Sequence, residues 1–153
     1  MLKDWMPKRG RRRPVYPKGY DGIPERYVAK TGIPMSRVPE AEAERAWSVL
    51  AEGLGSKLGI DFVNSESASV WEAFDYERYR VDPREEVSTT LKGFILLFEE
   101  FPEAGYRIKQ DRLRFGDLPR PFGDLCLAPW PSLTWVTMIT HEEGFGPYRV
   151  DLK

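Results

Sequence analysis

The sequence predicts an α+β domain: helices in the first two thirds of the chain, a small and mostly antiparallel sheet in the last third, and an extended basic arm ahead of both. Three observations carry this reading. Apolar residues recur at helical spacing in three segments between positions 39 and 102, apolar and polar residues alternate after Gly105, and six of the thirteen prolines fall before position 40. Helical and strand-like segments are segregated rather than interleaved, which argues for α+β over a wound α/β sheet.

The strongest helical pattern covers residues 82–102, DPREEVSTTLKGFILLFEEFP. Asp82 suits an N-cap, Pro83 the first helical position, and Glu85 a capping box. Val87, Leu91, Phe94, Phe98 and Phe101 follow at helical spacing, and Ile95 and Leu97 widen the stripe. Pro102 stops the pattern. The expectation is a core helix on which the rest of the chain packs.

A first helix is expected over residues 39–54, where Ala43, Ala46, Trp47, Leu50, Ala51 and Leu54 form one apolar face. Glu40, Glu42 and Glu44 put negative charge at the positive end of its dipole, and Gly53, Gly55 and Gly59 are expected to break it. Residues 60–63 read as a short strand or an extended entry to the next element. Residues 67–80 read as another helix, with Ser69 and Glu72 as its capping box. Its Trp71, Phe74, Tyr76 and Tyr79 are read as core and core edge, and Arg78 and Arg80 lie where a helix favours cations.

After Gly105 the period changes to two. Tyr106 and Ile108 alternate with Arg107 and Lys109, then Leu113 and Phe115 alternate with Arg112 and Arg114, so parity shifts across Gln110-Asp111. A tight hairpin or a bulge is expected there. An internal repeat follows, Phe115-Gly-Asp-Leu118 and Phe122-Gly-Asp-Leu125, whose Gly-Asp pairs suit turns. Residues 132–140 are apolar on both faces: Leu133, Trp135 and Ile139 on one, Val136 and Met138 on the other. Such a strand is central and covered twice. A Gly-rich loop at 141–146 leads to a closing strand in which Tyr148, Val150 and Leu152 alternate with Arg149 and Asp151.

Charge divides the chain unevenly. The net charge is −1, yet residues 1–30 hold nine Lys/Arg against three Asp/Glu, so a +6 arm precedes a body of −7. Prolines at 7, 14, 17, 24, 34 and 39 favour extended backbone, so residues 1–38 read as an arm and residues 39–153 as one domain. Lys8, Arg9, Arg11, Arg12, Arg13 and Lys18, interleaved with Trp5, Tyr16 and Tyr20, are the candidate partner-binding residues. Cations of this density attract a phosphate backbone without reading its sequence, or an acidic protein face.

Other chemistry is poorly served. One histidine and one cysteine do not make a zinc site, and no cofactor is expected. Cys126, amid Leu125, Leu127 and Ala128, reads as an apolar filler that has no internal disulfide partner. The sequence holds no GxSxG, GxxxxGK[ST] or GxGxxG. The catalytic candidates are Asp117 and Asp124, from the two equivalent turns, with His141; paired carboxylates hold a divalent ion or divide acid and base roles. No apolar run reaches the ~20 residues that cross a bilayer, and no signal-peptide block opens the chain, so no membrane partner and a cytoplasmic location are expected.

The function expected from these features is that of a non-enzymatic structural or interaction protein. It would be a subunit of a larger assembly of the virion or ribonucleoprotein kind, homo-oligomeric assemblies included, anchored by the basic-aromatic arm. The alternatives are a small inhibitor of the immunity or antitoxin kind, whose acidic body covers a basic target, and a carboxylate-dependent nuclease or hydrolase.

Overall fold

A computed structural model describes residues 22–58, 76–88, 93–121, 123–141 and 146–152. Helix α1 (Ile23–Thr31) opens with Pro24 in its first turn, where a missing N–H costs nothing, and closes on Gly32 at φ 67°, the left-handed cap that suits glycine. A short strand β1 (Met35–Arg37) follows, then α2 (Glu40–Leu58) and a single helical turn α3 (Tyr76–Tyr79). The strands β2 (Glu86–Ser88), β3 (Phe94–Phe98), β4 (Phe101–Ile108) and β5 (Arg112–Arg114) lead to a 3-10 turn, Phe115–Asp117. The chain then runs through β6 (Leu125–Pro129), β7 (Trp135–Ile139) and β8 (Tyr148–Asp151).

Six strands form one antiparallel sheet in the order β1-β4-β3-β6-β7-β8, and β2 pairs with β5 in a separate two-stranded ribbon. The α+β class therefore stands. Among the described residues it rests on two multi-turn helices and not three.

The central strands explain both sheet faces. Alternate residues of β3 and β6 point opposite ways, and all of them are buried. Ile95, Leu97, Cys126 and Ala128 join Val136, Met138, Tyr148 and Val150 under α2, whose Ala43, Ala46, Trp47, Leu50 and Leu54 complete a first core. Phe94, Leu96, Phe98, Leu125 and Leu127 face the other way, into a second core with Tyr27 of α1, Val87 and Leu113 of the ribbon, Phe101, Tyr106, Phe115 and Trp135. Gly105 marks the close approach of α2 to the sheet. A Cβ there would lie 3.0 Å from Val38 and 3.1 Å from both Ala43 and Leu97.

The expected core helix over 82–102 is overturned: its described residues form β2, β3 and the start of β4, and residues 89–92 lie outside the described residues. The apolar run Phe94–Phe98 satisfies helical spacing only because it is apolar at every position, and a strand buried on both faces has the same pattern. The N-cap signal also has a second reading. Asp82 accepts the Arg84 backbone N–H at 2.8 Å, and the Glu85 N–H donates to the Asp82 carbonyl at 2.9 Å, so the residues that would start a helix make one turn. Gly93 enters β3 at φ 126°, where a Cβ would stand 2.0 Å from the Ile108 carbonyl oxygen. Pro102 lies beside the register shift at Leu97/Phe98, an irregular part of the ladder that tolerates its missing N–H.

Three further expectations change. The arm drawn over 1–38 is not extended throughout: among its described residues Ile23–Thr31 form helix α1, with Tyr27 in the second core, and only Met35–Arg37 form a strand, the edge strand β1; residues 1–21 lie outside the described residues. Helix α2 continues through Gly53 and Gly55 to Leu58, with Leu152 lying 3.3 Å from where a Gly53 Cβ would be. The parity shift at Gln110-Asp111 is not a hairpin between β4 and β5, because β5 leaves the main sheet to pair with β2. Of the helix expected over 67–80, residues 76–80 fall among the described residues, Tyr76–Tyr79 as one helical turn and Arg80 in an isolated bridge to Tyr148; residues 60–63 lie outside them. The covered strand β7 and closing strand β8 are as expected, except that β7 starts at Trp135, and Leu133 ahead of it packs on the core of Val136 and Met138, not with Trp135 and Ile139.

Candidate functional site

Strand register brings three titratable side chains to one end of the sheet. Phe98 pairs with Leu125, and Leu125 pairs with Ile139. The residue after Phe98, the residue before Leu125 and the residues just after Ile139 therefore lie side by side. These are Glu99 in the β3–β4 turn, Asp124 at the entry to β6, and Thr140 and His141 at the exit from β7.

Asp124 is the hub. Its backbone carbonyl accepts the Glu99 N–H at 3.0 Å. Its Oδ1 accepts the His141 backbone N–H at 3.0 Å and lies 2.8 Å from His141 Nδ1. An ionised carboxylate only accepts, so in this contact His141 Nδ1 donates to Asp124 Oδ1. The Asp124 side chain is only 10% exposed, whereas that of His141 is 47% exposed. Glu99 completes the cluster with a side-chain hydrogen bond to Asp124. Its pKa is raised from 4.5 to about 8, first by burial and then by the charge of Asp124, with Glu100 adding a smaller push. At neutral pH the Glu99 carboxyl keeps its proton and donates it to Asp124.

Cys126 lies one strand residue beyond Leu125 and is buried, unpaired by any disulfide. Burial, then Glu99 and Asp124, push its thiol well above the ordinary range. A thiol held protonated is a core filler, not a nucleophile.

Beside the cluster is a small pocket lined by Ile23, Tyr27, Phe98, Glu100, Phe101, Pro121, Gly123 and Asp124. Tyr27 and Phe98 meet edge to face with ring centroids 5.8 Å apart, and the Tyr27 hydroxyl donates to the Pro119 carbonyl at 2.7 Å. The pocket has apolar walls and two carboxylates at its rim.

Of the sequence candidates, Asp124 and His141 are brought together. Asp117 is exposed in the 3-10 turn, and the groups acting on Glu99 beside Asp124 do not include it. Glu99 carried no sequence signal beyond being an acid between two apolar runs. Arg112 and Arg114 lie on the β2–β5 ribbon, each with its Nε 3.8 Å from the Glu86 carboxylate. Trp5, Lys8, Arg9, Arg11, Arg12, Arg13, Tyr16, Lys18 and Tyr20 lie outside the described residues. Among the described residues no group of three His, Cys, Asp or Glu side chains is placed to hold a metal ion, and no helix is long and apolar enough to cross a membrane.

Comparison with protein-family models, curated proteins and solved structures finds no match to this chain.

Proposed function

We propose that the protein is a non-enzymatic interaction protein, a subunit of a larger assembly of the virion or ribonucleoprotein kind, joined to its partner through the basic-aromatic segment at its N-terminus. One observation carries this reading. Both faces of the sheet are covered by elements among the described residues, α2 on one side and α1 with the β2–β5 ribbon on the other. Residues 1–21 carry seven Lys/Arg against Asp4 and Asp21, a charge that the two cores, built from apolar residues, give no reason to concentrate there. Cationic charge concentrated in sequence ahead of an acidic body favours an anionic partner, either a phosphate backbone or an acidic protein surface.

The test uses the full chain with Arg9, Arg11, Arg12 and Arg13 each changed to Ser, beside the unaltered protein. Light scattering at low and high salt measures the mass of each. The reading expects the unaltered protein to form a complex, with itself or with added anionic partner, that dissociates at high salt, and the variant to stay monomeric throughout. Equal masses for both proteins at every salt concentration, with no partner captured by either, would overturn it.

A second reading, an inhibitor whose acidic body covers a basic target, draws on the carboxylates of Glu100 and Asp124 at one end of the sheet. Glu100→Lys should weaken such an interaction while the arm variant leaves it intact.

A further inference from the structure

We propose that Glu99, Asp124 and His141 form a proton-held latch: with Glu99 protonated, its hydrogen bond to Asp124 ties the β3–β4 turn, the entry to β6 and the exit from β7 together, and loss of that proton opens the tie. The inference stands independently of the assembly reading.

The geometry is that of a three-way tie made on one residue. Asp124 accepts from Glu99 through its backbone carbonyl, and from the His141 backbone N–H and ring through Oδ1. Asp124 also forms part of the pocket wall that faces Tyr27, and Tyr27 holds the Pro119 carbonyl. Pro119 is thus held by α1 and Asp124 by the latch. Among the described residues, the titratable groups facing Glu99 are Asp124 from the β6 entry, Glu100 from its own turn and Cys126 from β6, with His141 reached through Asp124. None of the first three offers a positive charge. A deprotonated Glu99 would therefore meet a neighbouring carboxylate in a largely buried place, and two such groups do not both stay ionised at hydrogen-bond distance. Burial and this repulsion hold the proton on Glu99 up to about pH 8. Above it the pair separates and the Asp124 contacts to the β7 exit loosen.

The test follows the His141 backbone amide in the full-length protein by nuclear magnetic resonance. Its N–H is protected only while Asp124 Oδ1 accepts it. The expected result is a signal that persists through neutral pH and disappears into solvent exchange as pH rises past about 8, while amides in the middle of β3 and β6 persist. In Glu99→Gln, whose amide donates to Asp124 at every pH, the His141 signal should persist through the same range. A wild-type signal unchanged across that range, or one lost equally in Glu99→Gln, would overturn the latch. Should that variant not fold, the Glu99 carboxyl carbon of the wild type decides. A titration midpoint well above the ordinary carboxylate range supports the proposal, and one within that range refutes it.

Discussion

The two faces of the sheet are sealed in different ways. One is covered by a single 19-residue helix, α2, which lays small residues against the strands and lets Gly105 bring the backbones close. The other is covered by pieces: the nine-residue α1, the three-residue strands of the ribbon, and aromatic rings filling the space between them. Phe98, the last residue of β3, meets two rings of that face, Tyr27 at 5.8 Å and Tyr106 at 5.9 Å by ring centroids, both edge to face. A continuous cover has no seams. A cover of short elements leaves seams at its ends, and the pocket and the titratable cluster lie at one of them.

This contrast can be broken by truncation on each side. Trp47 is almost fully buried under α2, and Trp47→Ala should cost about 3–5 kcal/mol, because the helix cannot collapse into the hole. Phe98 borders the pocket, so Phe98→Ala should lie at the bottom of that range, about 3 kcal/mol, as neighbouring side chains relax into the space. Urea unfolding of both variants measures the difference. A larger loss at Phe98 would mean that the patchwork face is the tighter one.

A smaller effect sharpens how the seam is held. Tyr27→Phe removes the hydrogen bond to the Pro119 carbonyl and should cost about 1 kcal/mol by the same measurement. No change would mean that the hydrogen bond to Pro119 does not help to hold α1 in place. The smallest effect has the opposite sign. Thr137 is fully buried in β7, on the aromatic face, and its hydroxyl has no hydrogen-bond partner among the described residues. Thr137→Val should raise stability by up to about 1 kcal/mol, since a methyl fills the same volume without a desolvated polar atom. A loss would show that the hydroxyl is satisfied.

The covered strand β7, the alternating strand β8 and the apolar face of α2 were legible in the sequence, because in each the pattern admits one period. Phe94–Phe98 was not, because five consecutive apolar residues fit a helix and a doubly buried strand equally, and the Asp82-Pro83 turn imitates a helix start. The edge strand β1 escaped for a related reason: Met35-Ser36-Arg37 is too short to show a period, and its pairing with β4 spans about seventy positions of sequence. The candidate site was half legible. Asp124 and His141 could be singled out as residue types able to do chemistry, yet their meeting depends on the register of β6 with β7. Glu99 depended on β3 being a strand at all, so misreading that segment hid the residue whose proton matters most. The FGD repeat suggested that Asp117 and Asp124 have equivalent roles; in the fold one closes an exposed 3-10 turn and the other enters the sheet.

The most direct test of the proton-held seam is stability against pH, by urea unfolding of the wild type and of Glu99→Gln. In the unfolded chain Glu99 releases its proton near pH 4.5, whereas in the fold it keeps it to about 8. Between these values the folded state binds the extra proton, so stability is greatest below the window and falls as pH rises through it. Asp82 acts in the opposite sense and elsewhere. Its hydrogen bonds with Arg84 lower its pKa from 3.8 to about 2, so its contribution is lost only in strong acid. The account predicts a wild-type stability that declines from pH 4.5 to 8 and levels off above, with the Glu99-dependent decline absent in Glu99→Gln. Parallel pH profiles for the two proteins would contradict it.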